Sequence, residues 1–320
     1  MRSAVRFVVA LVTLAGCHRR VEEPRAAATA LLASTAAGVP ALAPALPLAS
    51  AAKDGAPASA EHLRFAVIGD YGMANEDERR VADLVKGYAP EIVVTTGDNN
   101  YPRGSAETID TNIGQFYSVF IGSYRGKYGT GATENRFFPS LGNHDWYTDG
   151  AQPYLDYFTL PGNERYYSFT RGPVEFFALD SDPHEPDGTS PTSRQAAWLK
   201  EHAQASRAAW QVAYLHHPPY SSSVHGSNAD GAWPYGEWGI DLVLAGHDHT
   251  YERARIGGVT YLVNGLGGAH EYEFKTAIAG SEFRYNEKHG AQLAEATPHT
   301  LRLTFVNVDN ARIDEVVLER

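Results

Sequence analysis

The stretch that decides the fold is IVVTTGDNNYP, residues 92–102. It begins with a run of apolar, mostly β-branched residues and ends in glycine and polar residues, which is typical of a buried strand followed by a loop. A strand that is apolar on both faces suits a parallel sheet covered on both sides. Asp98 therefore follows the carboxyl end of a predicted parallel strand, where α/β proteins collect ligands, and Tyr101 lies just beyond it.

The sequence on either side predicts alternating strands and helices first and mainly strands later. Asn75 followed by Glu78 is a capping-box pattern that begins a helix, and Pro90 ends it. Thr192 followed by Gln195 predicts the start of a second capped helix. This order predicts an α/β (α+β) protein, a layered sandwich of two mixed sheets with helices outside. The predicted strands are 63–69, 92–96, 137–141, 166–170, 174–179, 211–215, 240–245, 259–263, 300–307 and 312–318.

Composition limits the class of protein and of partner. The chain has 320 residues, 43% of them hydrophobic, which is ordinary for a globular protein with a sizeable core. Its formal net charge of −11 disfavours nucleic acid and anionic membrane surfaces as partners. The single cysteine, Cys17, excludes an internal disulfide and a thiolate metal site, whereas 13 histidines allow a metal held by nitrogen and oxygen.

The first 60 residues are not expected to belong to the fold. Residues 1–17 contain a short apolar stretch and end in Leu-Ala-Gly-Cys, which resembles the processing box of a bacterial lipoprotein. Residues 18–60 are rich in alanine and proline and predict a disordered tether, so the folded domain is expected over 61–320. We expect export to the periplasm or cell surface, with a lipid on Cys17 as the only membrane anchor. The alternative is a plain signal peptide with an incidental cysteine.

Five polar clusters directly follow predicted strands, and together they predict a metal site. A single aspartate after a strand is usually a turn or cap residue, and a His-x-His pair alone is only moderately specific. Five clusters in sequence order bring oxygen and nitrogen donors to strand ends, where glycines let the backbone turn sharply. The clusters are Gly69-Asp70-Tyr71-Gly72, Gly97-Asp98-Asn99-Asn100-Tyr101, Gly142-Asn143-His144-Asp145, His216-His217-Pro218 and Gly246-His247-Asp248-His249.

With the clusters in the order GD, GDxxY, GNHD, H and GHxH, the chain resembles the calcineurin-like metallophosphoesterases. Within them it is similar to the purple acid phosphatases of the tartrate-resistant type. The resemblance covers roughly residues 63–270 and implies a four-layer α/β/β/α sandwich, the metallophosphoesterase fold, with metal ligands at seven positions. It assigns Asp70, Tyr101 and His249 to one metal, Asn143, His216 and His247 to a second, and Asp98 to both.

The glycine at position 72 bears on the role expected for Tyr101, that of a metal ligand. Most of the superfamily carries a histidine ligand at the position of Gly72, and the resemblance implies that the phenolate of Tyr101 replaces it. Asp70, Asp98 and a phenolate form a strongly anionic set that suits ferric iron. The second site, with an amide and two neutral imidazoles, suits divalent zinc, manganese or iron. The alternative is that Tyr101 only packs against Pro102 at the edge of the loop.

The resemblance implies a metal-dependent phosphoric monoester hydrolase, an acid phosphatase, in which a metal-bound hydroxide attacks the phosphoryl group in line. His144 and His225 match the family's substrate-contacting histidines, and we expect them to bind phosphate and protonate the leaving group. His225 also fits an ordinary histidine in a serine-rich loop. His217 is expected to point elsewhere, and Asp145 and Asp248 are expected to orient neighbouring residues of the site.

Two other functions stay open at this point. A phosphodiesterase or nucleotidase of the same superfamily would use the same metal ions. A catalytically silent surface lipoprotein would keep only the fold, but all seven expected ligand positions hold suitable residues, which disfavours it. The expected partner is a phosphorylated small molecule, and the expected state of the protein is a monomer.

Overall fold

The structure is a computed structural model that describes residues 61–320, so the expectations for residues 1–17 and 18–60 lie outside its described part. The ten predicted strands are confirmed within one or two residues at each end. Three further strands, β8, β10 and β11, have no counterpart among the predictions. In chain order, the strands of the described residues are β1 (Leu63–Ile68), β2 (Ile92–Thr95), β3 (Phe137–Pro139), β4 (Tyr167–Arg171), β5 (Val174–Ala178), β6 (Trp210–Tyr214), β7 (Leu242–Ala245), β8 (Tyr251–Ile256), β9 (Val259–Asn264), β10 (Ser281–Tyr285), β11 (Gly290–Ala296), β12 (Thr300–Asn307) and β13 (Arg312–Glu319).

The strands form two mixed sheets. The first has the order β13-β12-β11-β1-β2-β3, in which β1, β2 and β3 run parallel. The second has the order β10-β8-β9-β7-β6-β5-β4, and its parallel strands are β9, β7, β6 and β5. Every residue of β2 and β7 is buried, as parallel strands covered on both faces require. The loops that leave these parallel strands emerge at the same edge of each sheet.

Helices cover the outer faces. The first predicted capping pattern is confirmed, because Asn75 Oδ1 accepts a hydrogen bond of 2.8 Å from the backbone N–H of Glu78. Among the described residues, no helix has the length and apolar composition that crossing a membrane requires. The α-helices are α1 (Glu76–Tyr88), α2 (Ala106–Ile109), α3 (Gln115–Tyr117), α4 (Asn143–Trp146), α5 (Gln152–Tyr157), α6 (Arg194–Ala205) and α7 (Tyr235–Trp238), with a π-helical turn (Asp110–Gly114) joining α2 to α3.

The predicted cap of the later helix is wrong by one residue. Ser193, not Thr192, caps α6, because its Oγ accepts from the backbone N–H of Ala196 at 3.1 Å. The Gln195 side chain turns inward instead and bonds with the backbone of Asp180 on both sides of its amide, at 2.8 Å each. The helix therefore begins one residue later than predicted, and a tertiary contact takes Gln195 away from the capping role that the local pattern gave it.

The two sheets pack face to face between the helical layers. Phe65 of β1 and Phe176 of β5 meet edge-on with ring centroids 5.2 Å apart, which joins both sheets in one core. Phe177 points the opposite way, into a second core that α6 and α7 cover. On the far side, α1 buries Val81 and Val85 against the first sheet. The predicted four-layer α/β/β/α sandwich is thus confirmed.

Candidate metal centre

The five predicted polar clusters meet where the two sheets present the carboxyl ends of their parallel strands. Loops after β1, β2 and β3 come from the first sheet, and loops after β6 and β7 come from the second. Two contacts join these loops across the sandwich: the backbone N–H of His247 donates to Asp70 Oδ2 at 2.8 Å, and Asn143 Oδ1 lies 3.0 Å from His216 Nε2. The topology therefore creates one site from residues far apart in sequence.

Backbone conformation holds several of these residues in place. Asp70, Asp98 and His247 have φ angles of 56°, 50° and 67°, a left-handed conformation that is strained for residues other than glycine. Strain of this kind clusters at functional sites, where surrounding contacts maintain it. Gly97 lets the loop after β2 pass close to His216, because a Cβ on Gly97 would lie 2.7 Å from the imidazole Nδ1.

Asp70, Tyr101 and His249, which we call the Tyr101 group, place their donor atoms around one point together with Asp98. Tyr101 Oη lies 3.0 Å from Asp98 Oδ2, 3.2 Å from His249 Nε2 and 3.3 Å from Asp70 Oδ1. His249 Nδ1 donates to the carbonyl of His270 at 2.7 Å, so Nε2 faces these oxygens and carries the lone pair when the ring is neutral. A cation fits such a convergence of electron-rich atoms.

The charges of the Tyr101 group favour a strongly charged ion. Burial, followed by the charges of Asp98 and Asp70, raises the pKa of Tyr101 well above its ordinary value. Burial also raises the pKa of Asp98. Among the described residues, the only salt-bridge partners of these two aspartates are histidines. A hard, highly charged cation would therefore be needed to keep all three oxygen donors ionised.

Asn143, His216 and His247, which we call the Asn143 group, form the neighbouring set of donors. His216 Nδ1 donates to the carbonyl of Thr96 at 2.8 Å, which leaves the lone pair on Nε2. That lone pair faces Asn143 Oδ1 at 3.0 Å and His247 Nδ1 at 3.1 Å. Asn143 Nδ2 donates to Tyr147 Oη at 2.9 Å, so the amide oxygen is the atom turned inward.

These neutral acceptors fit a divalent cation. Burial lowers the pKa of His216 to about 3, so its imidazole is neutral at ordinary pH. An imidazole lone pair and an amide oxygen repel at hydrogen-bond distance, because neither supplies a proton. A bound cation between them removes that cost, and nitrogen with oxygen is a donor set that suits zinc, manganese or ferrous iron.

Asp98 connects the two groups. Its Oδ2 faces Tyr101, and its Oδ1 lies 3.4 Å from His216 Nε2. Donor atoms of Asp70, Asp98 and His216 lie within 4.8 Å of one another. The structure thus brings all seven predicted ligand side chains together in two adjoining groups, as two metals with one bridging carboxylate would require. Their role as ligands stays a prediction.

Both predicted catalytic histidines lie beside these groups. His144 Nδ1 is 2.7 Å from the carbonyl of Pro102 and therefore donates to it, which leaves Nε2 facing the site, 3.8 Å from Asp98 Oδ2. Its ring packs on Tyr101 with centroids 4.3 Å apart. His225 is exposed, and its ring packs against that of His247 with centroids 4.2 Å apart. The two histidines therefore flank the centre, one beside each group.

The expectation that His217 points elsewhere is wrong. Its ring lies against His247 and His216, with centroids 4.4 Å and 4.9 Å away, and donor atoms of the three histidines lie within 4.8 Å of one another. The reason is a contact with the loop after β5: Ser181 Oγ lies 3.0 Å from His217 Nδ1. This contact turns the ring toward the site rather than away from it.

Asp145 and Asp248 orient neighbouring residues of the site, as expected, and do so mainly through hydrogen bonds to the loops that carry those residues. Asp145 accepts from Gly142 N–H at 2.9 Å and from the Asn99 side chain at 2.8 Å, and it does not contact the His144 ring. Burial and the charge of the nearby Asp98 raise the pKa of Asp145 to about 7. Asp248 accepts from the backbone N–H of His225 at 2.9 Å, which holds the loop that carries this histidine.

Gly72 and Tyr101 are linked directly in space. A Cβ on Gly72 would lie 1.8 Å from the carbonyl oxygen of Asn99, so the loop has no room for a side chain at this position. The backbone N–H of Tyr101 donates to the carbonyl of Gly72 at 2.9 Å. The π-helical turn supports the same loop, since Asn112 Nδ2 donates to the Tyr101 carbonyl at 2.7 Å. A histidine at position 72 is thus incompatible with this loop arrangement.

The predicted clusters omit three side chains that lie at the site. Ser181 belongs to Leu179-Asp180-Ser181-Asp182, a polar run directly after β5, so the rule that identified the other five clusters also applies to it. Tyr147 bonds Asn143, as described above. Tyr272 stacks on His249 with centroids 4.0 Å apart and an interplanar angle of 11°. Tyr272 comes from a segment without helix or strand, and no sequence pattern identifies it.

Residues 63–251 match the family model described as calcineurin-like phosphoesterase. This match spans more than half of the chain, and the chain belongs to that family. Within the described residues, Asp70, Asp98 and His216, and also His216, His217 and His247, form groups that could hold a metal ion, which agrees with this family assignment. The order of the motifs in the sequence and the family of the whole domain therefore agree.

Similar proteins include plant purple acid phosphatases. Purple acid phosphatase 17 of Arabidopsis thaliana is 26% identical over 217 residues, which are 58% of this chain and 62% of the relative. Purple acid phosphatase 23 of the same plant is 28% identical over 224 residues, 59% of this chain and 47% of the relative. The chain thus spans less than two thirds of the length of these two relatives.

Two solved structures share the fold. Purple acid phosphatase PPD1 from yellow lupin (Lupinus luteus) seeds has a TM-score of 0.65 at 18% identity, over 83% of this chain and 55% of that one. GAP50, the anchor in the inner membrane complex of Plasmodium, has a TM-score of 0.64 at 18% identity, over 81% and 89%. At this identity, the likeness concerns the fold alone.

Proposed function

We propose that the protein is a dinuclear-metal phosphomonoesterase of the acid phosphatase type. The single observation that carries the proposal is the Tyr101 hydroxyl, which lies among Asp70, Asp98 and His249 in a loop closed by Gly72. A phenol in this place, beside a second group of neutral donors, gives two metal positions of different charge. The purple acid phosphatases among its relatives support the same assignment.

The donor sets support a different metal at each position. Ferric iron would be held by the Tyr101 group, a divalent zinc, manganese or iron ion by the Asn143 group, and Asp98 would bridge them. When bound, such a pair of cations polarises phosphoryl oxygens and lowers the pKa of water to provide the nucleophile of an in-line displacement. The protein contributes the fixed positions of the donors, most of which are buried.

His144 and His225 would act on the substrate itself. The carbonyl of Pro102 accepts a hydrogen bond from His144 Nδ1. The Nε2 atom therefore faces the centre and is free to contact a phosphoryl or leaving-group oxygen. His225 lies on the other side, against His247, and its exposure leaves it accessible to an entering substrate. A protonated histidine at either place would protonate the departing alkoxide.

The proposal is tested with the full chain, stripped of metal and reloaded with iron and zinc. We expect hydrolysis of p-nitrophenyl phosphate, much slower hydrolysis of its diester bis(p-nitrophenyl) phosphate, and a violet to pink charge-transfer absorption. Reloading with zinc alone is the control, because it should leave the protein colourless. Equal or faster cleavage of the diester would replace the monoesterase with a phosphodiesterase, and a colourless iron-loaded protein would contradict the phenolate.

A non-catalytic role is the second candidate. Its support is the similarity in fold to GAP50, the anchor in the inner membrane complex of Plasmodium. The suitable side chains at all seven ligand positions argue against this role, since a protein that only binds a partner has no need to keep buried, mutually repelling donors. Absence of turnover on aryl phosphates after metal loading, with two metals bound, would favour this candidate.

We also propose that the protein is exported, lipidated on Cys17 and monomeric. Export and lipidation rest on the sequence pattern of residues 1–17, whereas the monomer is carried over as the expectation of the sequence analysis. Cys17→Ser should move the protein from the detergent phase to the aqueous phase in phase partition, without changing phosphatase activity. Sedimentation of the soluble variant at the mass of more than one chain would contradict the monomer.

A further inference from the structure

We propose that His217 is a phosphate-binding residue whose Nε2–H donates a hydrogen bond to the phosphoryl group at the metal centre. The proposal rests on the proposed function and adds a third histidine to the two that sequence patterns indicate. It is carried by the position of the His217 ring and by the hydrogen bonds of Ser181.

The ring of His217 lies at the open side of the Asn143 group. It packs between the site and the loop after β5, with its centroid 4.4 Å from that of His247. His216, its neighbour in sequence, is fully buried, whereas His217 is partly exposed. His217 is therefore placed to meet a molecule that arrives at the metals from solvent, without belonging to the buried donor set.

The hydrogen bonds of Ser181 determine which ring nitrogen carries the proton. Ser181 Oγ accepts from the backbone N–H of His217 at 2.8 Å and lies 3.0 Å from its Nδ1. Ser181 is buried, and these are the only hydrogen bonds of its hydroxyl among the described residues. The hydroxyl proton therefore goes to Nδ1, since a buried hydroxyl with an unused proton is costly. In a neutral ring, the remaining proton is then on Nε2.

This arrangement makes His217 a donor rather than a metal ligand. A ligand would need the lone pair on Nε2 and the proton on Nδ1, which would leave the Ser181 proton without an acceptor. A donor suits a phosphate, because His216 Nε2 and Asn143 Oδ1 offer only lone pairs and the chain is acidic, with a net charge of −11. Hydrogen bonds to charged oxygens are also stronger than those between neutral groups.

The experiment compares inorganic phosphate binding and metal content in full-length, metal-loaded wild type, His217→Ala, His217→Gln and Ser181→Ala. We expect His217→Ala to raise the inhibition constant of phosphate and the KM for p-nitrophenyl phosphate about tenfold, with two metals retained. His217→Gln keeps an N–H donor of similar reach and should recover part of the loss. Ser181→Ala should give a smaller increase, because the ring loses only its orientation.

His299→Ala is the matched control, since His299 is an exposed histidine on the turn between β11 and β12. Loss of one metal in His217→Ala would show that His217 is a ligand, and an unchanged phosphate affinity would show that it does not contact phosphate; either result overturns the proposal. Phosphate binding is measured directly by calorimetry as well. A protein that binds phosphate without turnover would thus contradict the proposed function while still testing His217.

Discussion

The two halves of the metal centre fix their donors by different means. The Tyr101 group, together with Asp98, gathers two carboxylates and a phenol in a buried place, so charge distinguishes it. In the Asn143 group, the carbonyl of Thr96 and the hydroxyl of Tyr147 decide which atom of His216 and of Asn143 points inward. We therefore expect the Tyr101 group to select a cation by its charge and the Asn143 group to select one by its coordination geometry.

The strongest test removes the residue that both halves share. Asp98→Asn keeps the shape of the side chain but removes its negative charge, so neither group retains its bridging carboxylate. We expect loss of metal from both positions and a fall in kcat of more than about a hundredfold, beyond the effect typical of residues that only support a ligand. Metal analysis and phosphatase kinetics measure both effects.

The matched control for this substitution is Asp309→Asn, because Asp309 is an exposed aspartate on the turn between β12 and β13, where it pairs with Arg80 and Lys288. It should leave metal content and kcat unchanged. If Asp98→Asn kept two metals and near-normal turnover, the two halves would be independent sites, and the bridged pair would be excluded.

The next largest effect separates the halves. Tyr101→Phe removes one donor from the Tyr101 group and leaves the Asn143 group intact, so we expect the visible absorption to disappear while zinc binding persists. Activity should fall roughly tenfold to hundredfold, less than for Asp98→Asn, because Asp70, His249 and Asp98 still hold an ion. Visible spectroscopy on the iron-loaded protein monitors the Tyr101 group, and zinc titration monitors the Asn143 group.

Tyr128→Phe is the control for Tyr101→Phe, since the one hydrogen bond that Tyr128 Oη makes within residues 61–320 is to Thr111 of the π-helical turn, at 3.3 Å. Its spectrum should match that of wild type. An unchanged spectrum in Tyr101→Phe would instead assign the colour, and the iron, to another residue.

Sequence patterns predict the strand ends well because each end combines a buried run with glycine and a polar donor. They do not predict β8, β10 and β11. The sequence and the pairing of β11 show the physical reason. Its sequence, GAQLAEA, is rich in alanine and has low intrinsic strand propensity. It becomes a strand because it pairs on one side with β1 and on the other with β12. Tertiary pairing overrides local preference there.

The candidate site shows the same limit on a smaller scale. The strand ends predict the five polar clusters, and the resemblance to the family selects the seven residues within them. The direction of a loop side chain is not, as His217 shows, because its orientation depends on Ser181 from a loop 36 residues away. Tyr147 and Tyr272 are not predicted by a pattern either, since each reaches the site through tertiary contacts, Tyr147 with Asn143 and Tyr272 with His249.

A third test concerns the loop that places Tyr101. Gly72→Ala puts a Cβ 1.8 Å from the Asn99 carbonyl oxygen and 2.9 Å from the Asn100 backbone nitrogen, and backbone atoms cannot move aside cheaply. We expect a loss of roughly 2–3 kcal/mol in the free energy of unfolding, together with a weaker visible absorption. Urea unfolding of the metal-free protein measures the first quantity.

Gly87→Ala provides a matched comparison, because Gly87 lies in α1 and a Cβ there would meet nothing within 4 Å. Alanine is the better helix former, so this variant should gain up to about 1 kcal/mol. If Gly72→Ala were as stable as Gly87→Ala, the close approach of the two loops would be wrong, and with it the structural link between Gly72 and Tyr101.

The substitution with the smallest expected effect tests how the Asn143 amide is oriented in the Asn143 group. Tyr147→Phe removes the hydroxyl that accepts from Asn143 Nδ2, while the ring keeps its contacts with His144 and with the guanidinium of Arg103. The amide of Asn143 is then free to turn its nitrogen inward, so zinc affinity at the Asn143 group should fall about tenfold. The absorption of the Tyr101 group should not change. Zinc titration against a competing chelator measures this affinity, with Tyr128→Phe as the control. If both variants bound zinc equally well, the hydrogen bond from Tyr147 would not be what orients the Asn143 amide, and the packing around the Asn143 group would be sufficient.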